Sequence, residues 1–581
     1  MMPQSIFRSW KSKIFFDEIL HAPQVYTDSE LKRIKEAGHS GIWLAGILRE
    51  ISYSDIFTEF NQEKNKQRQK ALNILIQRAK KYDLNVFVYL VEPRNLNVSD
   101  PFWKKYPEIK GTFGTAGVIE YENGYAMCTS DKRVIDFLEN STANLFKMVP
   151  ELKGLILVTA SEHMHHCLSF ATPVWPEIYR KQYPDLCPRC RDKSPVGIVS
   201  EIINAIARGA FSVKTDAEII ASVWGWTWYE ELPHSKIIDT LDFRIAVESF
   251  FEKGGVKKEK SGRQIRINEY ALSYVGPSKY NQKLFSFLKK RNRRFYIRLV
   301  LGTTHELITV PCIPVPTQVY KKVIRAIRLK PYGYMSFTFG TMPCINLKVF
   351  EKILKMKTLP KNQRKFLKEL AEEYFPGCNP EMVYKSWLYF ASALNLYPFS
   401  NALMYYGPIC YALAYKQYPG PVKGEKMNPT WLPLPRDGDD LSSVCKDYDE
   451  KTIIQRFEKM SEHWQKGLTY YRKALENVPN EKKNNELSVA EIIPLIFSSV
   501  AHIFEIHLLK KNWQPENSKP FLQTMRKELE ICQQALPLVK SNKLLGYHIE
   551  AGMHLFSAKL IKGKIRHIKN LLRTNKILNN Y

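Results

Sequence analysis

The sequence predicts an α/β chain in which a (β/α)8 barrel, residues 1–346, is followed by an all-α domain, residues 347–581. Two observations point to the barrel and one to the helical domain. Short apolar, β-branched runs alternate with amphipathic stretches through the first ~340 residues, as strands buried on both faces alternate with covering helices. Eight such runs can be counted, the number that closes a TIM barrel. Beyond Leu347 the strand-like runs stop and helical periodicity takes over.

In chain order the expected strands are Ile14–Ile19, Gly41–Ile47, Asn85–Val91, Gly154–Ala160, Ala217–Trp224, Phe243–Glu248, Phe295–Leu301 and Gly333–Gly340. Between them lie the helical stretches Asp28–Ala37, Gln67–Lys80, Lys132–Met148, Val196–Arg208, Tyr280–Lys290 and Thr317–Arg328. A doubly wound sheet is the runner-up, but no Gly-rich dinucleotide turn follows the first strand. The segments Val91 to Asp131 and Ser161 to Pro195 are much longer than ordinary strand-to-helix loops. In a barrel those loops build the face that carries the site. The later helices are expected at Lys361–Glu373, Glu381–Leu394, Asp449–Asn477, Val489–Lys511, Lys519–Leu536 and Asn542–Leu572, with a Pro/Gly-rich insertion at Pro419 to Asp440.

Composition excludes several classes. Of 581 residues 44% are hydrophobic and 12% aromatic, enough for sizeable cores and too many for a disordered chain. No apolar run reaches the ~18 residues of a membrane span, so none is expected. The N-terminal stretch is cut by Asp17 and Glu18 and reads poorly as a signal peptide. Ten scattered cysteines fit a reducing, cytoplasmic setting better than a disulfide scaffold. The balance of 86 Lys+Arg against 58 Asp+Glu, a net +28, would suit acidic substrates, anionic membranes or nucleic acid. Much of that charge sits in helical stretches, and no nucleic-acid motif accompanies it, so nucleic acid is not an expected partner. The run Lys289-Lys-Arg-Asn-Arg-Arg294 precedes the seventh strand, on the side opposite a barrel's site, and reads as a solvated face.

Chemistry is expected at strand ends. The fourth run reads Gly154-Leu-Ile-Leu-Val-Thr-Ala-Ser-Glu162-His163, with a carboxylate at its tip. The seventh is followed by Leu301-Gly-Thr-Thr-His305-Glu306. Strands four and seven lie across a barrel mouth, so Glu162 and Glu306 could face each other as a catalytic pair. Glycoside hydrolysis needs such a pair, with a nucleophile at ~5–5.5 Å or a base at ~6.5–9.5 Å from the acid. Trp224, Trp226 and Trp228, at the end of the fifth run, would share one side by alternation and offer flat faces to a pyranose. Trp43, Arg49, Tyr274 and Trp175 could extend that wall, and Glu92 with Arg94 could bind hydroxyls or a substrate carboxylate. His163 or His305 could tune the acid or bind a hydroxyl. Cys187-Pro-Arg-Cys190, with Cys167 and Cys128 upstream and His163, His165 and His166 nearby, invites a structural zinc in the long fourth loop. Packed reduced thiols or a disulfide are the alternatives. No other cofactor is expected, and no Walker loop, Gly-x-Ser-x-Gly elbow or His-Glu-x-x-His helix occurs.

Ile14-Phe-Phe-Asp-Glu-Ile-Leu20, then Ala37-Gly-His-Ser-Gly-Ile-Trp43, then Ser161-Glu162 carry a resemblance. The barrel, over roughly residues 10 to 345, resembles glycoside hydrolases with helical C-terminal domains, and in particular the family-20 β-N-acetylhexosaminidase superfamily. The resemblance implies a glycosidase on an amino-sugar-containing glycan, with Glu162 as acid/base. Family 20 places an Asp-Glu pair there, the Asp orienting a substrate acetamido group, whereas here Ser161 carries no charge. Glu162 with Glu306 instead resembles the strand-four acid/base and strand-seven nucleophile of the large retaining barrel clan. Two other readings stand beside this one: a carbohydrate-binding barrel without catalysis, and a basic scaffold that binds a polyanion. The helical domain is open to three roles: closing the site, mediating a homodimer, or buttressing the barrel.

Overall fold

The computed structural model describes residues 3–13, 17–116, 119–161, 163–169, 186–259, 262–267, 270–432, 434 and 436–578. The chain divides into two compact units. The first comprises Met1–Phe251, Lys279–Leu299 and Leu329–Gly340; the second comprises Glu252–Ser278, Val300–Arg328 and Thr341–Tyr581. The expected boundary at 346/347 is thus replaced by a discontinuous one. The stretches that follow the sixth and seventh strands belong with the helices rather than with the barrel.

The first unit holds a closed parallel barrel. Its strands are β1 (Gln4–Phe7), β2 (Gly41–Gly46), β3 (Asn85–Val91), β4 (Gly154–Val158), β5 (Glu218–Ser222), β6 (Ala246–Phe250), β7 (Phe295–Arg298) and β8 (Gly333–Met335). Each pairs with its sequence neighbour, and β1 closes on β8 with Ile6 opposite Met335. Seven strands fall where the apolar runs predict them. The first does not: residues 14–16 lie outside the described residues, and Glu18–Val25 is a helix. The true β1, Gln4-Ser-Ile-Phe7, is short and half polar, because Gln4 joins a polar cluster in the barrel.

Alternation along the strands turns Ile6, Trp43, Phe87, Tyr89, Ile156, Val158, Ile220, Ala246, Tyr296 and Met335 into one packed interior. Near its N-terminal end Tyr296 Oη bonds Gln4 Oε1 at 3.0 Å and the carboxylate of Glu218, whose second oxygen accepts from Gln4 Nε2 at 3.3 Å. Amphipathic helices cover the strands, among them Glu63–Lys80, Lys132–Met148 and Pro195–Val213. The basic run before β7 is partly spent on capping. Arg293 donates to the carbonyls of Ile238 and Leu241 at the end of helix Ser235–Thr240, and Arg291 pairs with Asp239.

The long loop after β3 folds into a small antiparallel sheet of Leu96–Asn97, Lys110–Ala116 and Ile119–Met127. Cys128 follows directly on its last strand. The loop after β4 runs to the helix that begins at Pro195, where a proline suits the first helical turn.

The second unit is mainly helical. Its longer helices are Ile345–Leu354, Gln363–Tyr374, Pro380–Asn395, Glu450–Ala474, Asn480–Lys511, Ser518–Ser541 and Ala558–Leu578. Side chains cap their starts: Asn362, Asn379 and Asp449 accept from the backbone N–H three residues on. Phe390 stacks on Trp464 at 4.2 Å, and the Trp464 indole N–H donates to Ala490 O at 2.7 Å. The helix expected at Asn542–Leu572 starts later, at Ala558. Gly546 and Gly552 take positive φ angles of 87° and 65°, each just before a strand of the hairpin Tyr547–His548 and Met553–His554.

By length and composition alone Pro195–Val213 and Asn480–Lys511 would pass as membrane spans. However, 61% and 72% of their apolar stretches are buried inside the protein.

Candidate active site at the C-terminal ends of the barrel strands

The C-terminal ends of parallel barrel strands carry the residues from which active sites are made. Inside this barrel, toward those ends, Glu248 of β6 meets Arg298 of β7. Arg298 Nη2 donates to one carboxylate oxygen at 3.1 Å, and Nε lies 3.0 Å from the other as an ion-pair contact. Nη1 donates to Thr338 Oγ1 at 3.0 Å. The guanidinium lies 4.7 Å from the centre of the Phe250 ring, 5.6 Å from Tyr89 and 5.7 Å from Trp43. Just past β1, Arg8 pairs with Glu18 and stands 4.8 Å from the Trp43 ring. Trp43 packs on Tyr89 at 5.1 Å, and Trp224 on Phe250 at 5.4 Å.

These groups form one layer: two arginines, two carboxylates and a set of aromatic faces. All four charged side chains are buried. The indole N–H of Trp43 is also buried and has no acceptor among the described residues, a condition that costs free energy until an acceptor arrives. Thr159 Oγ1, just past β4, is in the same state. The layer therefore sets flat aromatic faces beside a free donor, groups that a sugar ring uses.

The residues expected from the sequence are placed as follows. Glu162, the expected acid/base, lies outside the described residues, as does Trp175. Its neighbours are described. Ser161 Oγ bonds His165 Nε2 at 2.7 Å and accepts from the His163 backbone N–H at 3.2 Å. Burial holds His165 well below the usual imidazole range, so its ring is neutral. His163, Arg94, Trp224 and Trp228 are half-buried and follow β4, β3 and β5.

Four expectations need correction. Glu92 is not a free ligand. Its carboxylate accepts from the backbone N–H groups of Leu48 at 2.6 Å and Arg94 at 3.2 Å, and burial raises its pKa. Arg49 donates to the carbonyls of Arg94 and Asn95, so both residues tie the loop after β2 to the loop after β3. Trp226 is fully buried, edge-on to His234 at 5.9 Å. Strand alternation ends at Ser222, and a 3-10 turn over Trp226–Trp228 sends Trp226 into the core.

Glu306 also departs from its expected role. It lies in the second unit, on the 3-10 turn His305–Leu307. Its carboxylate accepts from the backbone N–H of Leu272 at 2.6 Å, from that of Ser273 at 3.0 Å and from Thr304 Oγ1 at 3.3 Å. Burial raises its pKa against those donors. A carboxylate so engaged anchors the 270–273 segment and is not a free nucleophile. Tyr274 follows that segment and packs on Gly255, also within the second unit. His305 is buried between Tyr270 at 4.8 Å and Tyr405 at 5.2 Å, with Nε2 3.2 Å from Glu550. His548 completes a group of three that could hold a metal by distance. However, its Nδ1 accepts the Ala551 N–H at 3.2 Å, so Nε2 keeps the proton and offers no lone pair.

The cysteines do come together. Cys128, Cys167, Cys187 and Cys190 are all buried, with their sulfurs within 4.8 Å of one another. The pair Glu248 and Arg298 was not singled out from the sequence. The available signal was a charged residue in each of two runs that otherwise read as apolar strand.

No family model matches the chain, and no curated protein is similar to it at a significant level. Among solved structures, the chain is similar over its whole length to a family-138 glycoside hydrolase that targets pectin rhamnogalacturonan II. The TM-score is 0.54 at 10% identity, and the match covers 84% of that protein. A family-5 subfamily-18 enzyme of Bifidobacterium longum matches 62% of this chain and 81% of its own, at 13% identity and a TM-score of 0.40. The first of these shows the fold: a TIM barrel followed by an all-α region.

Proposed function

We propose that the chain is a glycoside hydrolase whose site is the C-terminal mouth of the barrel. The observation that carries the reading is the buried layer in which the unpartnered Trp43 indole N–H sits beside the Arg298 guanidinium, itself paired with Glu248. In this reading Glu162 is the general acid. It protonates the glycosidic oxygen as the C–O bond breaks, and the leaving group departs as an alcohol. Glu248, paired with Arg298, lends negative charge to the oxocarbenium-like transition state, and water adds to the anomeric carbon to complete the hydrolysis. Trp43, Tyr89 and Trp224 stack on the sugar, and Arg94 and His163 bind its hydroxyls or a carboxylate. The net charge of +28 favours an acidic glycan, such as a uronic-acid-containing chain, over a neutral one. An N-acetylhexosaminide, suggested by the family-20 resemblance, is the alternative substrate, and a reducing, cytoplasmic setting is part of the same proposal.

The test is a panel of aryl glycosides that includes a galacturonide and an N-acetylglucosaminide, with wild type beside Glu162→Gln. Release by the wild type should fall by about 10²–10⁴-fold in the variant, the range general acid catalysis supplies. Equal release by both proteins would remove Glu162 from the mechanism.

A second reading, a carbohydrate-binding barrel that does not cut, is favoured by one observation. Glu92, Glu248 and Glu306 are each engaged by cations or backbone amides. Calorimetric binding of an oligosaccharide without release of product would select it.

A further inference from the structure

The structure assigns a closed tetrathiolate zinc site to Cys128, Cys167, Cys187 and Cys190, one that joins the loops after β3 and β4. The geometry is the first ground. Cys128 Sγ lies 3.5 Å from Cys190 Sγ and 3.6 Å from Cys187 Sγ, and all four sulfurs fall within 4.8 Å of one another. Tetrahedral zinc with Zn–S of about 2.3 Å would place its sulfurs ~3.8 Å apart. A disulfide would need about 2.05 Å and would engage two sulfurs, leaving the other two crowded against it. The four sulfurs already stand near the corners such an ion requires.

The surroundings are the second ground. Cys187 and Cys190 sit on a tight turn in which the N–H groups of Cys190 and Arg191 both donate to Cys187 O, aiming the two sulfurs the same way. Cys128 N donates to Ile109 O, fixing the third ligand to the turn that leads into the small sheet. Gly111, on the neighbouring strand, faces Cys167 so closely that a Cβ there would collide with the sulfur. Ser130 Oγ is 2.9 Å from Cys190 Sγ, and the Cys187 N–H is held by Thr112 Oγ1 at 3.0 Å. Zinc with four thiolates is a net dianion. The Ser130 hydroxyl and the nearby Arg189 guanidinium are the kind of donors such a centre needs around it.

The ligand set is the third ground. Four cysteines and no water position make a structural site, and zinc holds that geometry with no redox chemistry. Binding exchanges the thiol protons for the ion, with no change in oxidation state. The ion would rivet the strand-four loop, which leaves the barrel at Ser161, to the end of the sheet inserted after β3.

The experiment uses the full chain purified without chelator. Elemental analysis should give about one zinc per chain, as a closed structural site does. Cys128→Ser and Cys190→Ser should each lose it, while Cys378→Ser, in the helical unit, should retain it. Should the cluster variants fail to fold, cobalt substituted into the wild type provides the second readout, through the intense visible bands of tetrahedral tetrathiolate cobalt. Metal removal should also lower Tm, because the ion binds the folded state. Metal-free protein with all four thiols open to alkylation would overturn the assignment. So would a peptide map joining Cys128 to Cys190 with two hydrogens fewer, or stoichiometric iron in place of zinc.

Discussion

Each unit buries an ion pair, and the two are built differently. In the helical unit Glu528 accepts from Ser499 Oγ at 2.8 Å and bonds His502 Nδ1 at 2.7 Å, and it pairs with Lys564. Lys564 also donates to Ala412 O at 2.8 Å. Burial alone would push the Glu528 carboxyl up, but the Lys564 charge and the His502 bond outweigh it and hold it down at about 2. In the barrel, Glu248 pairs with Arg298, and that guanidinium is framed by aromatic rings. A pair enclosed on every side by polar groups is spent on holding helices together. A pair set among aromatic faces, beside an unmatched indole N–H, is arranged to meet a further molecule.

The largest effect should come from breaking the enclosed pair. Lys564→Met strands a buried carboxylate and should cost about 3–5 kcal/mol in urea unfolding. Arg298→Met should cost less, about 1–3 kcal/mol, in keeping with a pair kept for binding rather than for stability. Equal losses in the two variants would erase the distinction and make the barrel pair structural as well.

The pH dependence sharpens the same contrast. Glu528 has a folded pKa below its unfolded value of about 4.3, so its contribution is present above that value and fades as pH falls toward about 2. The stability gap between wild type and Glu528→Gln should therefore close between roughly pH 4.5 and pH 2. Glu252 has the opposite sign. Burial pushes it up to about 7 despite the Lys322 ammonium at 3.5 Å. The folded state thus keeps a proton that the unfolded chain loses, and stability should decline as pH rises from about 4.3 toward 7. Glu252→Gln should flatten that slope, the smallest of these changes; an unaltered slope would mean that Lys322 keeps Glu252 ionised.

Much of the barrel was legible because strands buried on both faces are written as unbroken apolar runs. Gly154–Val158 and Asn85–Val91 need no other signal. The first strand was not legible, because Gln4 serves a polar cluster inside the barrel and breaks the pattern. The run that begins at Ile14 reads as a strand, whereas its described part from Glu18 onward is a helix. The site was legible only in part. Trp43 and Trp224 could be found from strand periodicity. Trp226 could not, because alternation ceases at a 3-10 turn that no period announces. Glu306 looked catalytic for its place after the seventh strand, but its amide partners come from the segment at Leu272 and Ser273, which only folding brings near. The cysteines at 187 and 190 announced themselves by spacing. That Cys128 and Cys167 share their pocket follows from the sheet inserted after β3.

The chain passes from one unit to the other at 251/252, 278/279, 299/300, 328/329 and 340/341. During synthesis the ribosome therefore releases two segments, Glu252–Ser278 and Val300–Arg328, long before the helices they belong with have been made. The nascent barrel must carry those segments unfinished until the last third of the polypeptide has emerged. A gene cut at 340/341 would leave the barrel unit whole but carrying two foreign segments, and the helical fragment without them. Soluble expression of either half alone is accordingly expected to fail, while co-expression of cleaved halves retains a route to the native fold.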